Sequence, residues 1–162
     1  MWEELLQCMN ELRDNCHALI ILGQQKKDIL TAAQTSELDE ITRQEESLVL
    51  QMSKLETKRA KLIRDIADIY GKTGKGLTLK DIITLADENA AVKLTIAGAD
   101  MRRIAEELSE MNKLNMKLVE HGLRFINYSL HTITSVQSAP TYAAKGEMGE
   151  PAPSRGLLDT KA

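Results

Sequence analysis

The chain has 162 residues, of which 43% are hydrophobic and only 3% aromatic, and its formal net charge at pH 7 is -3. This length is enough for one domain with its own hydrophobic core. The scarcity of aromatic residues favours helices packed by Leu, Ile, Met and Ala over β-sheets. The excess of acidic residues argues against nucleic acid as a partner, because duplex binders usually carry a clear excess of Lys and Arg.

Two heptad patterns predict two helices of matched length, over residues 2–33 and 37–70. In both, apolar residues recur at alternating steps of three and four, as on a helix face that packs against another helix. The polar link between them is short, so we expect an antiparallel hairpin, with Ser36 as the N-cap of the second helix. The two predicted seams consist of Trp2, Leu5, Met9, Leu12, Cys16, Leu19, Gly23, Lys26 and Leu30, and of Leu38, Ile41, Glu45, Leu48, Met52, Leu55, Arg59, Leu62, Ile66 and Ile69.

Two charged residues, Glu45 and Arg59, interrupt the second seam. A polar residue in a seam usually fixes the register of the packed helices. We therefore interpret both as side chains that form ion pairs or extend to solvent at the edge of the bundle. The alternative interpretation, a catalytic carboxylate at Glu45, has much less support.

The glycine-rich stretch at residues 71–78, GKTGKGLT, looks like a phosphate-binding loop. The Walker A motif requires G-x-x-x-x-G-K-[ST] between a strand and a helix. Here Ile66 and Ile69 stand where the first glycine should be, and the preceding element is a predicted helix. The stretch therefore does not predict nucleotide binding, and no cofactor is expected.

The same stretch has a structural interpretation. Gly71 is placed to end the second helix in a left-handed conformation, which glycine adopts without the penalty of a Cβ atom. Thr78 and Asp81 resemble a capping box with Asp in place of Glu. We expect a link in which the chain reverses, followed by a short helix over about residues 79–87.

A long helix is predicted over about residues 90–135. Beyond Leu118 its original seam becomes small or polar, while a neighbouring stripe becomes apolar. The steps from 111 to 115, 119 and 123 are all four, which is a stutter that rotates the apolar face around the helix. The first part of the seam consists of Leu94, Ala97, Met101, Ile104, Leu108, Met111, Asn115 and Leu118.

Helix lengths predict that the end of this long helix is uncovered. The hairpin helices would be about 50 Å long and the third helix about 68 Å, at 1.5 Å per residue. If the third helix starts at the open end of the hairpin, its last ten or so residues extend past it. An uncovered apolar face indicates a binding site or an oligomer interface. The alternative is that the helix bends, or that the short helix or the tail covers it.

The residues that most often carry chemistry form no recognisable site. His17, His121 and His131 show no metal-ligand spacing, and no nucleophile has a base at a motif distance. Cys8 and Cys16 lie about 12 Å apart along one predicted helix, too far for a disulfide. Reduced thiols indicate a cytosolic setting. Neither a signal peptide nor a membrane span is predicted, and we expect no enzyme.

Asn112 and Asn115 lie one turn apart on the long helix. An Asn in a seam is costly, so we expect it to specify register or to form a hydrogen bond across helices. The alternative is contact with a partner's backbone. The remaining residues, 137–162, are rich in Ala, Gly, Pro and Ser and predict a flexible C-terminal tail after a helical domain of residues 1–136.

Three segments, in this order, resemble the flagellar export chaperones of the FlgN family. The second helix carries Leu38-x-x-Ile41-Thr42, then Leu48 and Leu55-Glu56-x-x-Arg59, and the long helix carries Asn112, Asn115 and Leu118. The tail carries Thr141-Tyr142-Ala143-Ala144-Lys145-Gly146, which is similar to the family's Tyr-Gly-x-x-Gly segment. One departure is Ala143, which stands where the family has glycine. Alanine has fewer backbone conformations available than glycine, so a turn at this position would be more restricted.

The resemblance implies an all-α fold and a function. The fold would be an antiparallel helical hairpin with a long third helix, an elongated three-helix bundle or coiled coil. The function would be that of a cytoplasmic type III export chaperone, which binds the C-terminal helical segments of the hook-filament junction proteins FlgK and FlgL. It would prevent their premature assembly and deliver them to the export gate protein FlhA and the export ATPase complex.

The family's functional residues can be carried onto this sequence. Tyr142 would serve the export gate. The rival interpretation is a structural coiled-coil protein that forms a homodimer through the same apolar helix end. The predicted client-binding residues are Val119, Leu123, Phe125, Ile126, Leu130 and Ile133.

Overall fold

The computed structural model describes residues 1–72 and 76–137, apart from the side chains of Thr35 and of residues 135–137. No strand occurs in this part of the chain, which confirms the all-α prediction. The ends of the helices lie close to the predicted ones. The elements are α1 (Trp2–Thr31), a 3-10 turn (Thr35–Glu37), α2 (Leu38–Ile69), α3 (Leu79–Leu85) and α4 (Glu88–Gln137).

The chain divides into two compact units, Met1–Val119 and Glu120–Ala162. Helix α4 is continuous through the division. The predicted boundary between a domain of residues 1–136 and a tail stays a prediction, because residues 138–162 lie outside the described part of the chain. The position of Tyr142 lies outside it as well.

Helices α1 and α2 form the predicted antiparallel hairpin. Near its closed end the Lys26 ammonium lies 2.7 Å from the Glu45 carboxylate, and towards its open end the Cys8 thiol donates to the carbonyl of Leu55 at 3.3 Å. Glu45 therefore pairs at the edge of the bundle as expected. Arg59 likewise pairs with a carboxylate, that of Glu56 one turn earlier, at 2.8 Å.

Most predicted seam residues of the hairpin are buried or half-buried, but Ile69 is 68% exposed and its assignment was wrong. The reason lies in the last two turns of α2. Ile66 and Ala67 are buried there and Ile63 is half-buried. Around the helix, Ile63 and Ala67 lie on the same side of Ile66, so the buried face is centred on that side. Ile69 points to the other side.

Helix α1 ends in a left-handed residue that is not a glycine. Ala33 has a φ of 56°. The amide of Ala33 donates to the carbonyl of Leu30 at 3.4 Å, and that of Gln34 to the carbonyl of Ile29 at 3.1 Å. These two bonds form a Schellman motif, in which the left-handed position normally belongs to Gly. The alanine Cβ therefore introduces local backbone strain.

We expect the substitution Ala33→Gly to raise the free energy of unfolding by about 0.5–1 kcal/mol. Glycine removes the penalty for a left-handed alanine, although its greater freedom in the unfolded chain offsets part of the gain. Urea unfolding followed by circular dichroism measures the change. The matched control is Ala32→Gly, which should destabilise, because Ala32 has right-handed helical angles. Equal effects of the two substitutions would contradict the strain at Ala33.

The prediction that Ser36 caps α2 was wrong. Ser36 lies inside the 3-10 turn, and Glu37 precedes α2 without a side-chain capping bond. An N-cap residue normally has an extended backbone. Glu37 instead has helical angles, with φ -94° and ψ -7°, so the 3-10 turn runs directly into the helix.

Gly71 ends α2 as predicted, with a φ of 64°. Its amide donates to the carbonyl of Asp68 at 3.2 Å, and the amide of Lys72 donates to that of Ala67 at 2.8 Å. This is a second Schellman motif, here with glycine at the left-handed position. The structural interpretation of Gly71 is therefore confirmed. Residues 73–75 of the glycine-rich stretch lie outside the described residues.

The capping box of α3 is also confirmed. The amide of Asp81 donates to the Thr78 hydroxyl at 3.3 Å, and the amide of Thr78 donates to the Asp81 carboxylate at 2.8 Å. The Thr78 hydroxyl donates to the same carboxylate at 2.6 Å. The bonds that the Thr78 hydroxyl and amide donate to this carboxylate favour its charged form, and they lower the pKa of Asp81. The cap fixes the start of a short helix that buries Ile82.

One core cluster joins all four helices in the first unit. It consists of Leu5 and Met9 from α1, Ile66 from α2, Ile82 from α3, and Leu94 and Ala97 from α4.

Within the first unit, α4 runs parallel to α1. The start of α4 packs against the start of α1 in this cluster. Further along both helices, Asn115 lies against Gly23, whose missing side chain permits a close approach. A Cβ atom added at Gly23 would lie 2.6 Å from the Met111 side chain.

Asn115 forms the cross-helix hydrogen bond that its seam position predicts. Its side chain is only 5% exposed, and its Nδ2 donates to the carbonyl of Gly23 at 2.8 Å. Its Oδ1 is buried and has no hydrogen-bond partner among the described residues. Asn112, one turn earlier, is exposed. No residue of α4 between positions 116 and 134 is buried.

Candidate protein-binding face

A stripe of exposed apolar side chains follows the last buried residue of α4. We call it the apolar stripe, and its members are separated by steps of four, three, four and three residues. At about 100° per residue these steps keep all five within about 80° of the helix circumference. Their side chains are between 39% and 59% exposed. The residues are Val119, Leu123, Ile126, Leu130 and Ile133.

Phe125 lies apart from the apolar stripe. Its position is about 120° around the helix from the centre of the stripe, on the continuation of the seam that is buried earlier in α4. Its ring is 71% exposed. The structure therefore brings five of the six predicted client-binding residues onto one stripe and places the sixth beside it. Their assignment to client binding stays a prediction.

The charged residues of the same segment lie on the other side of the helix. Glu120 and Arg124 are about 100° and 140° from the centre of the stripe, in the direction away from Phe125. His131 lies on that side too, at about 120°, whereas His121 lies almost opposite the stripe, about 160° from its centre on the side of Phe125. All four are exposed. The segment therefore has an apolar half and a polar half.

The hydroxyl groups within the apolar half and at its Phe125 edge are satisfied by the helix itself, a feature that sequence reasoning missed. The Ser129 hydroxyl donates to the carbonyl of Phe125 at 2.9 Å, and the Thr132 hydroxyl donates to that of Tyr128 at 2.9 Å. Such bonds to the preceding turn are common for Ser and Thr in helices, so the residue types alone could have predicted that these hydroxyls bond within the helix. Both residues can face an apolar partner without burying an unbonded donor.

The described residues offer no arrangement suited to catalysis. They contain no group of three or more His, Cys, Asp or Glu that could hold a metal ion. Burial raises the pKa values of the Cys8 and Cys16 thiols, so neither is an activated nucleophile. Among the described helices, none is long and apolar enough to cross a membrane.

A groove of about 650 Å³ lies between α1 and α4 in the first unit. Leu6, Ile96 and Ala97 form its apolar part. Charged side chains surround it, including Asp14, whose carboxylate pairs with Arg13 at 2.9 Å. The groove brings no nucleophile and base together, so its geometry does not suggest a reaction.

In the described part of the chain, a helical scaffold carries an exposed apolar stripe on α4, an arrangement typical of the class of helical proteins that contact other proteins along a helix face. Among protein families, the model described as FlgN protein matches residues 1–150 of this chain. The chain belongs to the FlgN family, which comprises flagellar export chaperones and is not a family of enzymes. Searches of the curated proteins and of the solved structures found no match.

Proposed function

We propose that this chain is the cytoplasmic chaperone of the hook-filament junction proteins FlgK and FlgL, which it holds before assembly and delivers to the type III export gate. Family membership supports the role of export chaperone. The observation that carries the proposal is the apolar stripe, which is uncovered along more than three turns of α4. An amphipathic helix at the C-terminus of a client fits such a face.

The client helix binds by packing its apolar side chains between those of the stripe. Helix-on-helix recognition uses anchors at i, i+3, i+4 and i+7, the spacing found from Val119 to Ile133. Burial of about 600 Å² of apolar surface gives roughly 15 kcal/mol before costs, at about 25 cal/mol per Å². Ordering of both partners offsets most of this gain, which leaves an affinity near micromolar, suited to cargo that must be released.

The double substitution Leu123→Asp with Leu130→Asp is expected to lower client affinity by about 100-fold or more, because two charges would be buried against an apolar helix. Helicity should stay nearly unchanged, since both side chains are already exposed. Isothermal titration with purified FlgK and FlgL measures the affinity, and circular dichroism measures the helix content.

The matched control places the same two charges on the polar half of the segment, as His121→Asp with His131→Asp. It should bind clients within about threefold of the native chain. Equal loss in both double variants would refute the stripe as the client site. Loss of fold in the Leu123 and Leu130 variant would instead show that these residues belong to a core.

Tyr142 is the proposed contact with the export gate protein FlhA and the export ATPase complex, on the strength of the family resemblance. Tyr142→Ala is expected to weaken docking of the chaperone–client complex to the cytoplasmic part of FlhA by about tenfold, because aromatic anchors often dominate small interfaces. Client affinity, measured by the same titration as above, should not change. A parallel fall in client affinity would contradict the proposal that Tyr142 serves gate docking and the apolar stripe serves client binding.

A second candidate function is self-association through the same stripe. The alternating spacing of its residues is that of a coiled-coil seam, which favours a structural or oligomerisation protein and a homodimer in the absence of client. Sedimentation at micromolar concentration separates the two functions. A dimer that persists when FlgK or FlgL is added would support oligomerisation and count against the chaperone proposal.

A further inference from the structure

The apolar half of the second unit is wider than the apolar stripe. Between Leu123 on one edge and Phe125 on the other it spans about 160° of the helix circumference, at about 100° per residue. The strip between the two edges contains Ile126 and Ile133 and the small residues Gly122 and Ser129. All the apolar side chains among these are exposed.

A single helix cannot contact both edges of this surface. A helix that packs along the stripe faces Leu123 and Leu130 but leaves Phe125 at about 120° from the line of contact. A helix that packs over Gly122, where an added Cβ would meet nothing within 4 Å, reaches Phe125 but leaves Leu123 outside. A seam between two helices is narrower than the face that a bundle helix turns to its core.

Helix α4 itself illustrates the wider arrangement in the first unit. There its buried residues Leu94 and Ala97 share one core cluster with residues of α1, α2 and α3. Its apolar face is thus covered by more than one helix. The apolar half beyond residue 120 has at least comparable width, and its large apolar side chains are exposed.

The chemistry of the surface also specifies what faces it. The hydroxyl of Ser129 lies between the two edges, and that of Thr132 lies just beyond Phe125. Both donate to carbonyls of their own helix. The charged residues Glu120 and Arg124 lie on the opposite half. The facing side chains of a partner should therefore be apolar, and its charges should lie outside the contact.

We propose that two helices of the client, packed side by side, cover the apolar half of α4 beyond residue 120, so that the complex is a helical bundle and not a two-helix seam. This inference rests on the proposed chaperone function and specifies its client. One client helix lies along Leu123 and Leu130, and the other lies along Phe125. Ile126 and Ile133 contact both.

Three single substitutions test this arrangement by adding one negative charge at different positions around the helix. They are Leu130→Asp on the stripe, Phe125→Asp on the other edge, and His131→Asp on the polar half as a control. Isothermal titration of each full-length variant with full-length FlgK measures affinity. With two client helices, both of the first two substitutions lower affinity by about tenfold or more, while the control changes it by less than about threefold.

If Leu130→Asp weakens binding and Phe125→Asp does not, one helix is enough and the inference is wrong. The reverse result also indicates one helix, placed over Gly122. A synthetic peptide of the C-terminal helix of FlgK supplies a second measurement. It should bind at least about tenfold more weakly than full-length FlgK, and equal affinity would overturn the inference. If native chain binds neither FlgK nor FlgL, the proposed function itself fails, and this inference with it.

Discussion

Asn115→Asp is expected to destabilise the protein by about 3–5 kcal/mol at pH 7, although the two side chains have nearly the same shape. In the native protein the amide of Asn115 donates to the carbonyl of Gly23. An ionised carboxylate has no hydrogen to donate, so it would face this carbonyl as a second acceptor. It would also be buried without a counter-charge among the described contacts of Asn115.

The loss should depend on pH in a defined direction. Burial raises the pKa of the new carboxyl above its unfolded value of about 3.9. The native state then binds more protons than the unfolded state, so stability falls as pH rises from about 4 towards the raised pKa. When protonated, the new group can donate to the Gly23 carbonyl. Urea unfolding at pH 4.5 and pH 7 should therefore show a much smaller loss at the lower pH.

Asn112→Asp is the matched control, because Asn112 is exposed one turn away on the same helix. It should change stability by less than about 0.5 kcal/mol at either pH. A similar loss in both variants would mean that added negative charge on α4, and not burial, causes the effect. A loss at Asn115 without pH dependence would contradict the buried carboxylate.

Leu94→Ala is expected to lower the free energy of unfolding by about 2–5 kcal/mol. Leu94 is fully buried in the cluster that joins all four helices of the first unit. Its truncation removes transfer energy and leaves a cavity that three other helices cannot all move to fill. Urea unfolding monitored by circular dichroism measures the loss.

Ile96→Ala is the control for Leu94→Ala. It removes a side chain of equal size two residues away, but Ile96 is 58% exposed. The expected change is less than about 1 kcal/mol. Comparable losses at the two positions would show that Ile96 is covered in solution. The covering group would then have to occupy the groove between α1 and α4, which Ile96 lines.

The seam of α4 was predictable because a helix face that packs against other helices has apolar residues at regular steps of three and four. The predicted seam residues from Leu94 to Leu118 are all buried or half-buried, as the pattern required. Asn115 could be assigned for the same reason, since a polar residue among apolar seam positions has few roles besides cross-helix bonding. The capping box at Thr78 and the left-handed Gly71 were predictable from local chemistry alone.

Other features depended on geometry that residue types do not specify. Ser36 has the preferred chemistry of an N-cap, but the backbone angles of Glu37 remove the extended residue that a cap needs. Ile69 continues the heptad spacing, yet the buried face of α2 turns away from it in the last two turns. The hydroxyls of Ser129 and Thr132 could have been expected to bond within the helix from their residue types, but their particular acceptor carbonyls required atomic positions.

The parallel alignment of α1 and α4 has a consequence for folding order. Hairpin contacts such as Lys26–Glu45 join residues 19 apart in sequence, whereas the bond between Asn115 and Gly23 joins residues 92 apart. The entropy lost on closing a loop grows with its length, so the α1–α2 hairpin is expected to form first and the docking of α4 to follow. On the ribosome, the carbonyl of Gly23 to which Asn115 donates therefore stays without this bond until most of α4 has been synthesised.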